Sequence, residues 1–427
     1  MRFVSTKGNS PKASLEEALF AGPAPDGGLY IPETLPVLGP ETLDALSGGS
    51  IADTALTVAK CLFDDDLDPA TLESIVRGSL DFTIPLVEVE DELFSLELFH
   101  GPTHAFKDVG ARFMARLMRH YLKSRDERAT VLVATSGDTG SAVAHAFYGL
   151  DGIRVIVLFP KGRVSALQQR LFTTLGDNVF ALSVDGTFDD CQRLVKSAFA
   201  EPELADQTLV SANSINVGRL LPQTFYYFHM FAELPRASRD GLVVATPSGN
   251  FGNLTAGLMA KRMGLPSTRF AAATNVNDVV PKYLASGDFR PRPSTATLSN
   301  AMDVGNPSNF ARILWLYDGK LDAIRADVAG RAYTDENTRA TILDVYERRG
   351  YVLDPHSAIG YLGARDHRQK TAVFLATAHA AKFQETVEAV LKTPVPLQPA
   401  IAACAERPET ITEIDASIES LKGFLKP

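Results

Sequence analysis

With 427 residues, 45% of them hydrophobic, the chain has the length for about two or three domains with well-buried cores. A net charge of −9 and the lack of any Lys/Arg-rich run exclude a protein that grips nucleic acid through its phosphates, so any anion must be held by local amides and a few placed cations. Cys61, Cys191 and Cys404 are far apart and form no CxxC, which points to thiols in a reducing compartment and to no disulfide or metal site.

Residues 1–10 lack the apolar core of a signal peptide, and no apolar run is long enough to span a bilayer, so a cytoplasmic protein with no membrane contact is expected. Residues 1–92 read as a separate module. It has helical patterns over 14–20, 51–63 and 72–80, broken by turn-rich stretches such as Gly22-Pro23-Ala24-Pro25-Asp26-Gly27-Gly28. Residues 82–99 read as strands. From there to about 392, apolar runs of strand length precede helical patterns: 131–135 before 141–148, 154–159 before 165–175, 180–184 before 188–199, 242–246 before 254–263, 270–275 before 278–284, and 372–376 before 382–391. That alternation implies α/β units with parallel strands under helices, and it places ligands in the loops at the strands' carboxyl ends.

Two such loops are rich in Gly and short polar residues: Thr135-Ser136-Gly137-Asp138-Thr139-Gly140-Ser141 and Thr246-Pro247-Ser248-Gly249-Asn250-Phe251-Gly252-Asn253. Each opens a helix, whose free N–H groups favour an anion, so each is a plausible phosphate cradle. Ordinary helix capping is the alternative for either loop alone. Neither carries the Gly-Lys-Ser/Thr of a P-loop or the three-glycine spacing of a dinucleotide site. A third segment, His100-Gly101-Pro102-Thr103-His104-Ala105-Phe106-Lys107-Asp108, leads into a helical pattern over 106–123. A lysine at a helix start runs against the macrodipole. The dipole and burial together would lower its pKa and yield the neutral amine that Schiff-base chemistry needs. The alternative is a lysine that snorkels to solvent.

The eight histidines show no HExxH or other metal spacing. His100, His104 and His379 are candidates for proton carriers or for satisfied buried rings. Tyr226, Tyr227 and Phe228 fall in a helical stretch over 217–232 and read as core. No GxSxG elbow supports a serine triad.

Taken in order, these segments resemble the threonine synthase family of pyridoxal phosphate (PLP) enzymes of fold type II. The stretch from His100 to Asp108 is similar to that family's cofactor-lysine motif, and Asp26-Gly27-Gly28-Leu29-Tyr30-Ile31-Pro32 to its N-terminal signature. Residues 134–147 (ATSGDTGSAVAHAF), 211–216 (SANSIN), 247–253 (PSGNFGN), 273–278 (ATNVND), 298–304 (LSNAMDV) and 377–379 (TAH) also look like family motifs. The form resembled is the longer one, with an extra N-terminal domain. It implies an α/β fold of the tryptophan synthase β type: two open, mostly parallel α/β domains plus a small N-terminal domain. The implied division is an N-terminal domain over 1–92, a catalytic region over 93–392, and a C-terminal extension over 393–427. A small α/β subdomain of about 128–212 is inserted in the catalytic region.

The resemblance further implies PLP as cofactor, O-phospho-L-homoserine and water as substrates, L-threonine and phosphate as products, and a monomer or homodimer. Lys107 would bond the cofactor and move protons. Ser248, Gly249, Asn250, Phe251, Gly252 and Asn253 would hold the cofactor phosphate, largely by backbone N–H. Thr377 would face the pyridine nitrogen with a hydroxyl, which suits a neutral ring. Ser136, Asp138 and Thr139 would lie near the cofactor 3′ oxygen and the substrate, unless Asp138 instead caps the helix at Ser141. Lys161 and Arg163 would meet the substrate phosphate, with Ser165, Asn213 and Asn216 as neutral donors. A solvated turn is the alternative for the two cations. Other readings are a different fold-type II PLP lyase, such as a threonine or serine dehydratase or a β-replacing synthase, and a non-catalytic protein that keeps the fold. The N-terminal module and second anion loop weigh against the first. The intact lysine and both loops weigh against the second.

Overall fold

The computed structural model describes residues 1–46, 48–266 and 268–425, so positions 47 and 267 and the last two residues of the expected C-terminal extension lie outside the described residues. The strands are β1 (Phe3–Ser5), β2 (Tyr30–Pro32), β3 (Leu86–Glu90), β4 (Leu93–Glu97), β5 (Ala129–Ala134), β6 (Ile153–Pro160), β7 (Val179–Asp185), β8 (Leu209–Ser211), β9 (Val243–Pro247), β10 (Arg269–Thr274), β11 (Val328–Ala332), β12 (Ala372–Ala376) and β13 (Thr412–Asp415). One sheet has the order β11-β10-β9-β12-β4-β3 and is parallel except for β3, which runs antiparallel to β4. A second, wholly parallel sheet has the order β13-β7-β6-β5-β8. β1 and β2 form a short antiparallel ribbon.

Strands covered by helices on both faces need apolar side chains at nearly every position. β12 (AVFLA) is buried throughout, and β6 (IRVIVLFP) at all but one residue. The helix Lys107–Arg125 buries Val109, Phe113, Met114, Leu117 and Met118 on its inner face. A Cβ at Gly110 would come within 2.5 Å of Arg219 O, so glycine lets this helix approach the turn Val217–Leu220 closely. In the N-terminal module, Ser50 and Asp53 form a reciprocal capping box on the helix Ile51–Phe63, and Asp68 caps Pro69–Ser79. These helices share one core with Phe113 and Phe225. Arg312, fully buried, donates to Tyr30 O (2.9 Å), Ile215 O (2.7 Å) and Asn309 Oδ1 (2.6 Å), which ties β2 to the site's loops.

The structure departs from the sequence expectations at several points. β3 falls inside the expected N-terminal module of 1–92 but is an edge strand of the large sheet. The expected helix over 217–232 is two, Val217–Leu220 and Gln223–Glu233, because Pro222 has no N–H to donate to a continuous helix. Tyr226, Tyr227 and Phe228 are fully buried within it. The helix after β5 starts at Asp138, not at Ser141, which brings Asp138 and Thr139 into its first turn. The C-terminal extension, which offers no motif, supplies β13 and the helix Ile418–Leu425, whose Leu421 and Leu425 pack with Leu182, Val184 and Leu194. No helix among the described residues is long and apolar enough to cross a membrane.

Candidate active site

The carboxyl ends of β4, β5, β8, β9 and β12 converge on a cleft of about 540 Å³ between the two sheets. Lys107, Ser136, Asp138, Thr139, Asn213, Thr377 and Gly249 to Asn253 all line it.

Lys107 opens its helix with no capping side chain beside it. Its loop is stitched down on both sides. Thr103 donates its N–H (2.8 Å) and hydroxyl (2.6 Å) to Asp108, while Phe106 N–H donates to Thr377 O (2.9 Å) and His379 N–H to His104 O (3.1 Å). The Lys107 side chain is 14% exposed, with Nζ 3.6 Å from Asp138 Oδ2. Burial lowers its pKa, Asp138 opposes that, and Lys382 and Arg219 reinforce it. Burial likewise pushes Asp108 up to about 6 despite the Thr103 bonds.

The loop after β9 is shaped for an anion. Phe251 takes the left-handed conformation (φ 60°) and gives the helix Gly252–Arg262 no side-chain cap, while Leu254 N–H in the first turn donates to Asn253 Oδ1 (2.9 Å). The polar side chains here fix the loop and tie it to the segment after β8. Ser248 Oγ donates to Asn253 Oδ1 (2.7 Å), Asn253 Nδ2 to Pro247 O (2.9 Å), and Asn250 Nδ2 to Ser214 Oγ (2.6 Å). A Cβ on Gly249 would sit 2.7 Å from Met302 Cα.

In the loop after β5, Thr135 Oγ1 accepts from Gly137 N–H (2.9 Å) and Gly140 N–H (2.8 Å), which folds the turn onto the helix start. Asp138 does not cap at Ser141. Its carboxylate is buried, accepts from Gln168 Nε2 (3.1 Å), and lies between two lysine side chains: Lys107 and Lys382, the latter 2.5 Å away. Burial acts to raise the Asp138 pKa, but Lys382 and Lys107 outweigh it and hold the carboxyl well below the usual range.

Five expected site residues stand elsewhere. Ser248 lies buried beneath its loop. Lys161 pairs with Glu413 of β13 at 2.8 Å, and Arg163 is exposed beside it. Ser165 caps the helix Ala166–Thr173. Asn216 is fully buried, donating to Leu19 O (2.8 Å) and Ser211 O (3.0 Å). The last four are off the cleft because the loop after β6 turns toward the C-terminal extension and Asn216 is consumed in fixing β8 to the N-terminal module. Two of the three candidate histidines make scaffold contacts, His100 with Glu97 (2.7 Å) and His379 with Ala381 N–H (3.1 Å); His104 has a buried Nε2 with no hydrogen-bond partner among the described residues, and burial lowers its pKa to about 4.

The sequence missed Arg219, His356 and Lys382. Arg219 lines the cleft, is buried, donates Nη1 to Ala212 O (2.6 Å), and has a buried Nε with no hydrogen-bond partner among the described residues. Burial lowers its pKa to about 10. His356 Nε2 accepts from Ala301 N–H (3.2 Å), so Nδ1 carries the proton that it shares with Asp354 (2.6 Å). The available signal was a lone cation inside an apolar run, as in Arg219-Leu220-Leu221 and Ala380-Ala381-Lys382-Phe383.

Comparison with known proteins matches residues 84–377 to the family described as pyridoxal-phosphate dependent enzyme, residues 2–80 to threonine synthase N terminus, and residues 357–425 to threonine synthase, C-terminal. The threonine synthase of Serratia marcescens is 44% identical over 428 residues, covering 100% of this chain and 99% of its own. The crystal structure of threonine synthase from Escherichia coli superposes with a TM-score of 0.94 at 42% identity, covering 100% and 99% of the two chains. The PLP-bound threonine synthase from Brucella melitensis gives 0.95 at 40% identity, covering 100% and 98%.

Proposed function

The chain belongs to the threonine synthase family of PLP-dependent lyases, and from that premise we propose that it converts O-phospho-L-homoserine and water to L-threonine and phosphate. One observation carries the reading: a half-buried lysine lies between two helix-start loops that open on the same cleft. The residues fit PLP. The amides from Gly249 to Asn253 suit a phosphate, and glycine at 249 lets the loop lie close against Met302. Lys107, with its lowered pKa, suits an amine that must bond an aldehyde. Thr377, at the end of β12, offers the pyridine nitrogen a neutral hydroxyl.

When bound, PLP supplies the electron sink that lets protons leave Cα and Cβ, phosphate leave Cγ and water add at Cβ. The protein's own groups do the rest. Lys107 Nζ, once freed, takes the proton from Cα and returns one later. An amine of lowered pKa can do both near neutral pH. Arg219 replaces Lys161 and Arg163 as the cation for the substrate phosphate. Its guanidinium is buried, has an unspent Nε and lines the cleft beside Asn213. Ser136 and Thr139, which also line the cleft, offer hydroxyls to the substrate. The same reading carries a cytoplasmic monomer or homodimer. Product analysis tests it: with PLP, the purified protein should release phosphate and threonine together from O-phospho-L-homoserine, and turn over threonine or serine far more slowly. Faster turnover of threonine to a keto acid would make the protein a dehydratase and overturn the reading.

A further inference from the structure

Lys382 has no role in the chemistry above, yet its position is costly. Its side chain is fully buried, and its Nζ lies 2.5 Å from Asp138 Oδ1 without making a hydrogen bond of normal geometry among the described residues. The other oxygen of that carboxylate is 3.6 Å from Lys107 Nζ. Two lysine side chains thus converge on one buried carboxylate, an arrangement that pure stability does not favour.

We propose that Lys382 is a positioning residue: by pairing with Asp138 it takes up the carboxylate's charge and leaves the Lys107 amine free to stand unprotonated. The proposal rests on the PLP reading. Asp138 alone would do the opposite, since a carboxylate at that distance favours the ammonium form by about one to three pKa units. Lys382 offsets this by placing a positive charge beside the carboxylate that a second ammonium must oppose. The other groups around the trio do not replace it. Arg219 acts on Lys107 in the same direction but more weakly than Lys382. His356 is engaged by Ala301 N–H at Nε2 and by Asp354 at Nδ1. His104 and His145, both lowered to about 4 by burial, carry no charge near neutral pH. The chemistry requires the free amine. Its lone pair forms the C–N bond to the cofactor aldehyde, and the carbonyl oxygen leaves as water with the two amine protons. An ammonium has no lone pair to give.

Apoprotein of the full chain, mixed with PLP, should develop a visible absorbance band whose rate rises with pH through the Lys107 titration. In Lys382→Met the midpoint should move up by about one to three units, and the rate at neutral pH should fall at least about tenfold. Lys382→Arg should restore it. The pair Asp138→Asn with Lys382→Met, which removes both charges, should return most of the lost rate. A folded Lys382→Met protein with an unmoved midpoint, or a double variant as slow as the single one, overturns the proposal. If Lys382→Met does not fold, Asp138→Asn decides: a lower midpoint supports the proposal, and an equal or higher one overturns it. A wild-type apoprotein that forms no band fails the cofactor reading instead. The pairing is then read from the pH dependence of Lys107 labelling by a small aldehyde trapped with borohydride. The same order of midpoints supports it, and coincident midpoints overturn it.

Discussion

Replacing Gly249 by alanine should weaken cofactor binding through packing alone. The added Cβ would lie 2.7 Å from Met302 Cα, 3.0 Å from Ala301 O and 3.1 Å from Met302 C, where ordinary contact begins at 3.4 Å. All three neighbours are backbone, so no flexible side chain can swing away. Either the cradle or the segment around Met302 must shift by about 0.7 Å. Overpacking of this kind costs about 1–3 kcal/mol. If the loop yields, its amides leave their aligned positions, and the PLP dissociation constant should rise by about 5- to 150-fold. Titrating apoprotein with PLP by absorbance, alongside melting curves of the apoprotein, separates the two ways of absorbing the strain. Gly252→Ala is the control, because its Cβ meets Asn309 Nδ2 at an unstrained 3.5 Å. A Gly249→Ala protein with PLP affinity within twofold of wild type and an unchanged melting temperature would refute the reasoning.

Arg312→Met should destabilise the protein by about 3–5 kcal/mol in denaturant titrations, because it strands the buried acceptors of Tyr30, Ile215 and Asn309. Asp108 has a folded pKa raised from 3.8 to about 6, so it contributes stability that is fully present below about pH 4 and lost as pH rises through about 6. The stability of wild type relative to Asp108→Asn should accordingly fall by about 2–3 kcal/mol between those pH values, and a flat difference would count against the burial argument. Arg219→Gln should raise KM for O-phospho-L-homoserine by tenfold or more while PLP affinity changes little, since it removes a charge-assisted contact worth about 1.5–3 kcal/mol. Steady-state kinetics beside a PLP titration would check both halves.

The sequence makes local order legible and distant pairing illegible. The helix Ile51–Phe63 and the strand Ala372–Ala376 can be read to the residue, because an amphipathic stripe after a capping serine and an unbroken apolar run each have a single local cause. The cradles are equally visible, as Gly-rich turns at strand ends. β13 (TEID) is a short, largely exposed edge strand with no apolar run, and the helix Asp335–Arg349 is mostly polar, so neither announces itself. What the pattern cannot show is which side chains meet. Lys161 looks like a cation beside a strand end, but Glu413, 252 residues on, claims it. Asn216 looks like a free donor, but Leu19 claims it from the N-terminal module. Asp138 looks like a helix cap until Lys382 arrives from beyond β12.

The central claim is that Lys107 anchors PLP and drives phosphate release from O-phospho-L-homoserine. The direct measurement is phosphate release by wild type and Lys107→Ala, each with and without added PLP, with the visible spectrum recorded on the same samples. The account predicts a visible band and PLP-dependent phosphate release, with matching threonine, from wild type alone, and at least about a thousandfold loss in the variant. A Lys107→Ala protein that keeps the band and the turnover, or a PLP-saturated wild type that releases no phosphate, would contradict it.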